Sequence, residues 1–169
     1  ELGLKYSYLH YNLGVMYLYQ GRIPQAEEQF RRAIELKPDD AMSYHNLGLI
    51  LEQQNKIDDA VASYRKAADL APKLAEPRLK LAELYQKQRK TELQESVLQE
   101  LIDGNPSSQS GYDTLGQMYL KGKKWDQAEQ VYTQMLVSNV NAAAALAGLG
   151  DAHAGQGNWP QAAEDYRQA

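Results

Sequence analysis

The chain of 169 residues contains no cysteine, which excludes disulfides, thiolate metal sites and cysteine nucleophiles. It has no apolar run approaching the roughly 20 residues a membrane-spanning helix needs. Its net charge is only −4, so there is no global attraction to nucleic acid or acidic lipid. The three histidines, His10, His45 and His153, include no pair at the i, i+4 spacing of a helical zinc site. The segment "KGKKW" at 121–125 lacks the upstream glycine and following Ser/Thr of a phosphate loop. Adjacent carboxylates such as Glu27 with Glu28 and Asp58 with Asp59 read as helix-surface or first-turn residues. No Ser/His/Asp grouping is legible, and the sequence predicts neither a catalytic site nor a cofactor.

What the chain does have is a repeat. "HYNLG" at 10–14 returns as "YHNLG" at 44–48, "YDTLG" at 112–116 and "LAGLG" at 146–150, with "RLKLA" at 78–82. Leu13, Leu47, Leu81, Leu115 and Leu149 form one ladder of 34-residue steps, and Gly14, Gly48, Ala82, Gly116 and Gly150 a second. Ala26, Ala60, Gln94, Ala128 and Ala162 form a third; Phe30, Tyr64, Leu98, Tyr132 and Tyr166 form a fourth. Pro38, Pro72 and Pro106 make a fifth that fails at Val140.

Within one step the apolar residues fall at helical spacing in two runs. Gly21 and Arg22 interrupt the runs, and Pro24 suits the first turn of a new helix. The unit is two antiparallel helices. The small residues at Gly14 and Ala26 are expected to let two helix backbones approach, with Phe30 filling the space between pairs. The predicted helices span 7–20, 24–37, 41–54, 58–71, 75–88, 91–104, 109–121, 126–138, 142–155 and 160–169. Asp39, Asp40, Asp58, Ser107, Ser108 and Asp126 are the expected cap or first-turn residues.

The large-x2-Leu-Gly-x2-Tyr, Ala-x3-aromatic, Pro pattern resembles the tetratricopeptide repeat family over nearly the whole chain. It reads most cleanly as Tyr112, Leu115, Gly116, Tyr119, Ala128 and Tyr132. The resemblance implies an all-α fold, a right-handed α-solenoid of antiparallel helix pairs. The repeats then fall at 7–40, 41–74, 75–108, 109–142 and 143–169, the last cut short, in a single array without a long linker. Residues 1–6 align with "ELKPDD" at 35–40 and are expected to be the remnant of a preceding repeat. With no initiating methionine, the chain is expected to be part of a longer array, and its uncapped ends to allow self-association. The third repeat, with Gln94, Leu98 and Leu101, departs most, and a local change of packing angle is expected there.

In this family the first helix of each pair lines a concave groove, and the resemblance assigns the groove residue by residue. Tyr8, Tyr11, Asn12, Val15 and Tyr19 come from the first repeat, and Met42, His45, Asn46, Leu49 and Gln53 from the second. Glu76, Leu79, Lys80, Glu83 and Lys87 follow, then Asp113, Thr114, Gln117 and Lys121, and finally Ala144, Ala147, Gly148 and Asp151. Asn12, Asn46, Lys80 and Thr114 form a polar ladder, and asparagine amides both donate and accept, so they suit an extended peptide backbone. Tyr11 is read as a recognition residue, whereas Tyr6 and Tyr8 are expected to pack against preceding sequence. His153 stands in the Tyr17, Tyr85 and Tyr119 ladder and is expected to be a packing residue.

Arg22, Lys56, Lys90 and Lys124 recur in the turns inside each repeat and make a basic edge, doubled by Lys87, Arg89, Lys121 and Lys123. Cations near helix carboxyl ends account for such a row without an anionic partner. The family's carboxylate clamp requires side chains that this chain replaces by Tyr11, Val15 and Glu76, keeping only Asn46 and in part Lys80. An acidic chaperone tail is therefore not the expected ligand. The resemblance implies a scaffold for a protein or peptide, with no nucleic acid partner and no insertion into a membrane. Two other roles remain open from sequence: a substrate-recruiting arm of a larger enzyme such as a glycosyltransferase, or a segment of a membrane-associated assembly or export machine.

Overall fold

The computed structural model describes residues 2–169, with side chains described from Tyr6 onward. Among the described residues all regular structure is helical: α1 (Leu2–Tyr19), α2 (Ile23–Leu36), α3 (Ala41–Gln53), α4 (Ile57–Leu70), α5 (Ala75–Lys87), α6 (Thr91–Gly104), α7 (Gln109–Lys121), α8 (Trp125–Val137), α9 (Ala142–Gly155) and α10 (Trp159–Gln168). Inside the units the pairing of helices expected from the ladders is present for α1 with α2, α3 with α4, α7 with α8 and α9 with α10. One boundary differs by more than one residue. α1 runs unbroken from Leu2, not from residue 7. Of the segment expected to be a remnant, Glu1 lies outside the described residues and Leu2–Tyr6 open α1. Among the described residues no helix is long and apolar enough to cross a membrane.

The helices group into two compact units, Glu1–Arg89 with α1–α5 and Lys90–Ala169 with α6–α10. Inside each unit, consecutive helices pack on one another, and in the second unit α7 also adjoins α9. Second helices are amphipathic in the simplest way. On α2, Ala26, Phe30 and Ala33 are buried at i, i+4, i+7, while Arg31 pairs with Glu27 at 2.5 Å and Arg32 with Glu35 at 2.8 Å on the exposed side. First helices bury two faces, as Leu47, Gly48, Ile50 and Leu51 of α3 illustrate.

The turns inside the repeats share one stop signal. Gly21, Asn55, Arg89, Lys123 and Gly157, each 34 residues apart, all hold positive φ, between 55° and 80°. The next residue's N–H then reaches back to a carbonyl of the ending helix: Arg22 to Tyr17 (2.8 Å), Lys56 to Leu51 (2.8 Å), Lys124 to Tyr119 (2.9 Å), Asn158 to His153 (2.8 Å). That same residue is the N-cap of the second helix. The turns between repeats use the prolines, placed second in tight turns closed by Asp40 to Lys37 (3.2 Å), Leu74 to Ala71 (2.9 Å) and Ser108 to Asn105 (2.9 Å). Where the proline ladder fails, Asn139 takes a left-handed φ of 50° and Val140 N–H bonds to Met135 carbonyl, so α8 ends by a different device.

The glycine ladder does not serve helix-backbone contact as expected. A Cβ on Gly14 would lie 2.9 Å from the Phe30 ring, and one on Gly48 would lie 2.6 Å from the Tyr64 ring. Each glycine makes a flat socket for an aromatic of its own repeat. Phe30, Tyr64 and Tyr132 are buried accordingly. The two ladders change together in the third repeat, to Ala82 and Leu98, both buried.

Candidate functional site

In the first unit, three first helices bring the expected groove positions into equivalent environments. Tyr11 and Asn12 on α1, His45 and Asn46 on α3, and Leu79 and Lys80 on α5 are all half-buried. Beneath them lies the aromatic ladder. Tyr11 meets Phe30 edge-on, with ring centroids 5.9 Å apart, and His45 tilts against Tyr64 at 5.7 Å. These contacts fix the angle at which Tyr11 and His45 are presented. Burial holds the His45 imidazole below its ordinary pKa, with Glu76 opposing and Lys80 adding to the effect. The ring is therefore a neutral hydrogen-bonding surface near pH 7, and its Nδ1 is buried without a partner in the fold.

The polar ladder is partly committed. Asn46 donates one amide N–H to Met42 carbonyl at 2.9 Å, which turns its side chain back toward the amino-terminal end of α3. Lys80 pairs with Glu83 at 2.7 Å on the same helix. Glu52 accepts from Tyr64 hydroxyl at 3.0 Å and from Lys87 at 2.9 Å, tying α3, α4 and α5 together. Burial opposes the charge on Glu52, but the Lys87 and Tyr64 hydrogen bonds outweigh it and hold the carboxyl below its ordinary pKa. Val15 and Leu49 are half-buried. Tyr19 is 89 % exposed.

Tyr8, 69 % exposed, takes part in a cleft with α3. Ser7, Tyr8 and Tyr11 of α1, Lys37 and Asp40 of the α2–α3 turn, and Met42 of α3 line a cleft of 380 Å³. The position of Tyr8 is exposed in the first four repeats, at Tyr8, Met42, Glu76 and Ser110, and half-buried at Ala144. By contrast Leu9 and Met16 are exposed at positions where Ser43 and Ala145, and Ile50, Leu84 and Ala152, are buried.

In the second unit, Thr114 is half-buried and Gln117 donates to the Tyr132 hydroxyl at 3.4 Å, so part of its polarity is spent on the core. The fifth member of the asparagine ladder, Gly148, is a socket for Tyr132. His153 is more than a packing residue. Its Nδ1 lies 2.6 Å from buried Asp165 of α10, its Nε2 3.7 Å from Glu129 of α8, and Gln161 donates to the other Asp165 oxygen at 3.1 Å. Asp165 occupies a position that is also buried at Ser63, Val97 and Val131, and sequence reading missed the pair because its partner lies on another helix.

The basic edge lies in the turns that lead from the carboxyl end of each first helix to the second helix. Arg22, Lys56, Lys90 and Lys124 occupy N-cap positions of second helices, at the end where a cation is disfavoured. Arg22 stacks over the Tyr17 ring at 4.6 Å; Lys124 lies over Tyr119 at 5.5 Å and 3.5 Å from Glu95. Lys56 and Lys90 are exposed. The row is held by its backbone role in the turn and by these ring contacts.

The comparisons with known proteins agree on the fold. A family model described as the tetratricopeptide repeat matches residues 11–75 and 114–169. No curated protein matches the sequence. Among solved structures, MamA aligns with a TM-score of 0.71 at 19 % identity, over 97 % of this chain and 90 % of that one. PilF of Pseudomonas aeruginosa aligns with a TM-score of 0.68 at 21 % identity, over 99 % of this chain and 78 % of that one. YrrB, described as a TPR protein with an unusual peptide-binding site, aligns with a TM-score of 0.63 at 17 % identity, over 92 % and 80 %. With the family model covering more than half of its length and the same helix pairs in the structure, the chain belongs to the tetratricopeptide repeat family.

Proposed function

We propose that this chain is a protein-interaction scaffold that holds an extended peptide against the first-helix face of the Glu1–Arg89 unit. The observation that carries the reading is the register of Tyr11–Asn12, His45–Asn46 and Leu79–Lys80. Three successive helices offer an apolar or aromatic body beside a polar head, each half-exposed over a closed core. Asn12 and Asn46 stand 34 residues apart on α1 and α3 and carry amide groups that both donate and accept, as a peptide backbone requires. A peptide-binding site is described for YrrB, a protein of like fold, which supports the class of ligand and not its sequence. Thr114 and Gln117 belong to the second unit and would extend recognition there.

The test is selection of peptides on the wild-type chain from a displayed random library. Their affinities are then measured by fluorescence anisotropy for wild type and for an Asn12→Ala, Asn46→Ala, Lys80→Ala variant of unchanged helicity. Loss of three hydrogen-bonding groups, each worth about 1 kcal/mol, predicts weakening by about a hundredfold. Equal affinities for the two proteins would move recognition off this face.

A further inference from the structure

We infer that the cleft between α1 and α3 is an anchor site for one large apolar side chain of a bound peptide, preferably aromatic, followed by a carboxylate. The inference rests on the groove reading and gives its ligand a chemical character.

Four observations carry it. The cleft has room for a side chain, at 380 Å³, within the range of small-ligand sites. Its walls are mainly apolar and adaptable: the Tyr8 and Tyr11 rings on one side and the Met42 thioether on the other, with Tyr8 69 % and Met42 40 % exposed. A Tyr8 and Met42 surface of this kind buries readily against an aromatic ring. The rim carries the charge. Asp40 accepts the Ser43 hydroxyl, and Lys37 stands 3.9 Å from the other Asp40 oxygen, a loose pair that leaves the ammonium available to a ligand carboxylate. Finally, the cleft is continuous with the proposed peptide path. Tyr11 belongs to both, and the Asn46 amide is turned onto the Met42 turn by its bond to Met42 carbonyl.

The chemistry differs at the next junction of the same unit. The positions equivalent to Tyr8, Tyr11 and Lys37 hold Met42, His45 and Ala71 there, so neither the paired rings nor the rim cation recurs. The preference is therefore a property of one place on the unit and sets the register of a ligand along it.

The test uses the full chain labelled with carbon-13 at methionine methyls, which gives four signals, from Met16, Met42, Met118 and Met135. The probes are indole-3-acetate and its uncharged amide. Saturable movement of the Met42 signal alone is expected, with Met16, exposed elsewhere on α1, as the control for unspecific adsorption. Tyr8→Ala should weaken both probes at least about tenfold. Lys37→Gln should weaken indole-3-acetate about threefold to tenfold and leave the amide unchanged. Movement of Met16 together with Met42, or equal effects of Lys37→Gln on both probes, overturns the assignment. The two readings fail separately. Selected peptides that lose affinity on Asn46→Ala but not on Tyr8→Ala sink the cleft and keep the groove; the opposite pattern sinks the groove.

Discussion

At the scale of the residue, the ladder at 21, 55, 89, 123 and 157 shows geometry imposed on unwilling side chains. Glycine accepts positive φ freely and asparagine tolerates it, but Arg89 at 57° and Lys123 at 55° are placed where a side chain costs about 1–2 kcal/mol. Lys123→Gly should relieve that strain, less what glycine's greater freedom returns to the unfolded chain, for a net gain of about 0.5–1 kcal/mol. Urea unfolding is the measurement, with a raised midpoint at constant slope expected. A lowered midpoint would mean that the lysine side chain contributes more than its backbone costs. Three of the five members of this ladder were legible. Gly21, Asn55 and Gly157 carry the signal in their chemistry, whereas at 89 and 123 the sequence shows two basic residues and invites an electrostatic reading.

At the scale of the element, helix ends were well marked because proline turns and apolar periodicity agree, and nine starts fall within one residue of expectation. What sequence could not supply was the partner across a helix interface. Tyr119 donates to Glu95 at 2.8 Å, and one repeat later His153 faces Glu129 from the same register. The substitution of histidine for tyrosine becomes intelligible only when Asp165 arrives from α10. Removing that carboxylate leaves the largely buried His153 ring without its α10 partner. Asp165→Ala should therefore destabilise the α9–α10 pair by about 1–3 kcal/mol. Amide hydrogen exchange would report it as faster exchange on α10 before any change on α6. Uniform acceleration along Lys90–Ala169 would contradict a local latch. The same ring-to-acid theme holds Tyr166, whose hydroxyl donates to Asp151 at 2.7 Å and is pushed up to about 12 by that bond, then by burial.

At the scale of the whole molecule, stability in repeat proteins is a sum of unit and neighbour contributions, so a lesion in one socket should be felt unevenly. Gly48→Leu forces a side chain into the Tyr64 ring and should remove about 3 kcal/mol. Exchange should rise first on α3 and α4 and less on α9 and α10. An unchanged thermal midpoint would show that the socket is dispensable. The groove positions were legible in outline, because repeat register alone brings Tyr11, Asn12, His45 and Asn46 to one face. The cleft was not, because it depends on Tyr8, Tyr11 and Met42 lining one space, which no spacing encodes.

Tyr132 has two sockets. Its ring lies against Gly116 of its own repeat and against Gly148 of the next, and a methyl group at either would meet it. The 34-residue period visible in the sequence therefore cuts through the contact that locks its fourth copy to its fifth. A repeat cut at the sequence boundary would keep Gly116 and lose Gly148, and one cut from mid-repeat to mid-repeat the reverse, so neither frame carries the whole seat of the ring.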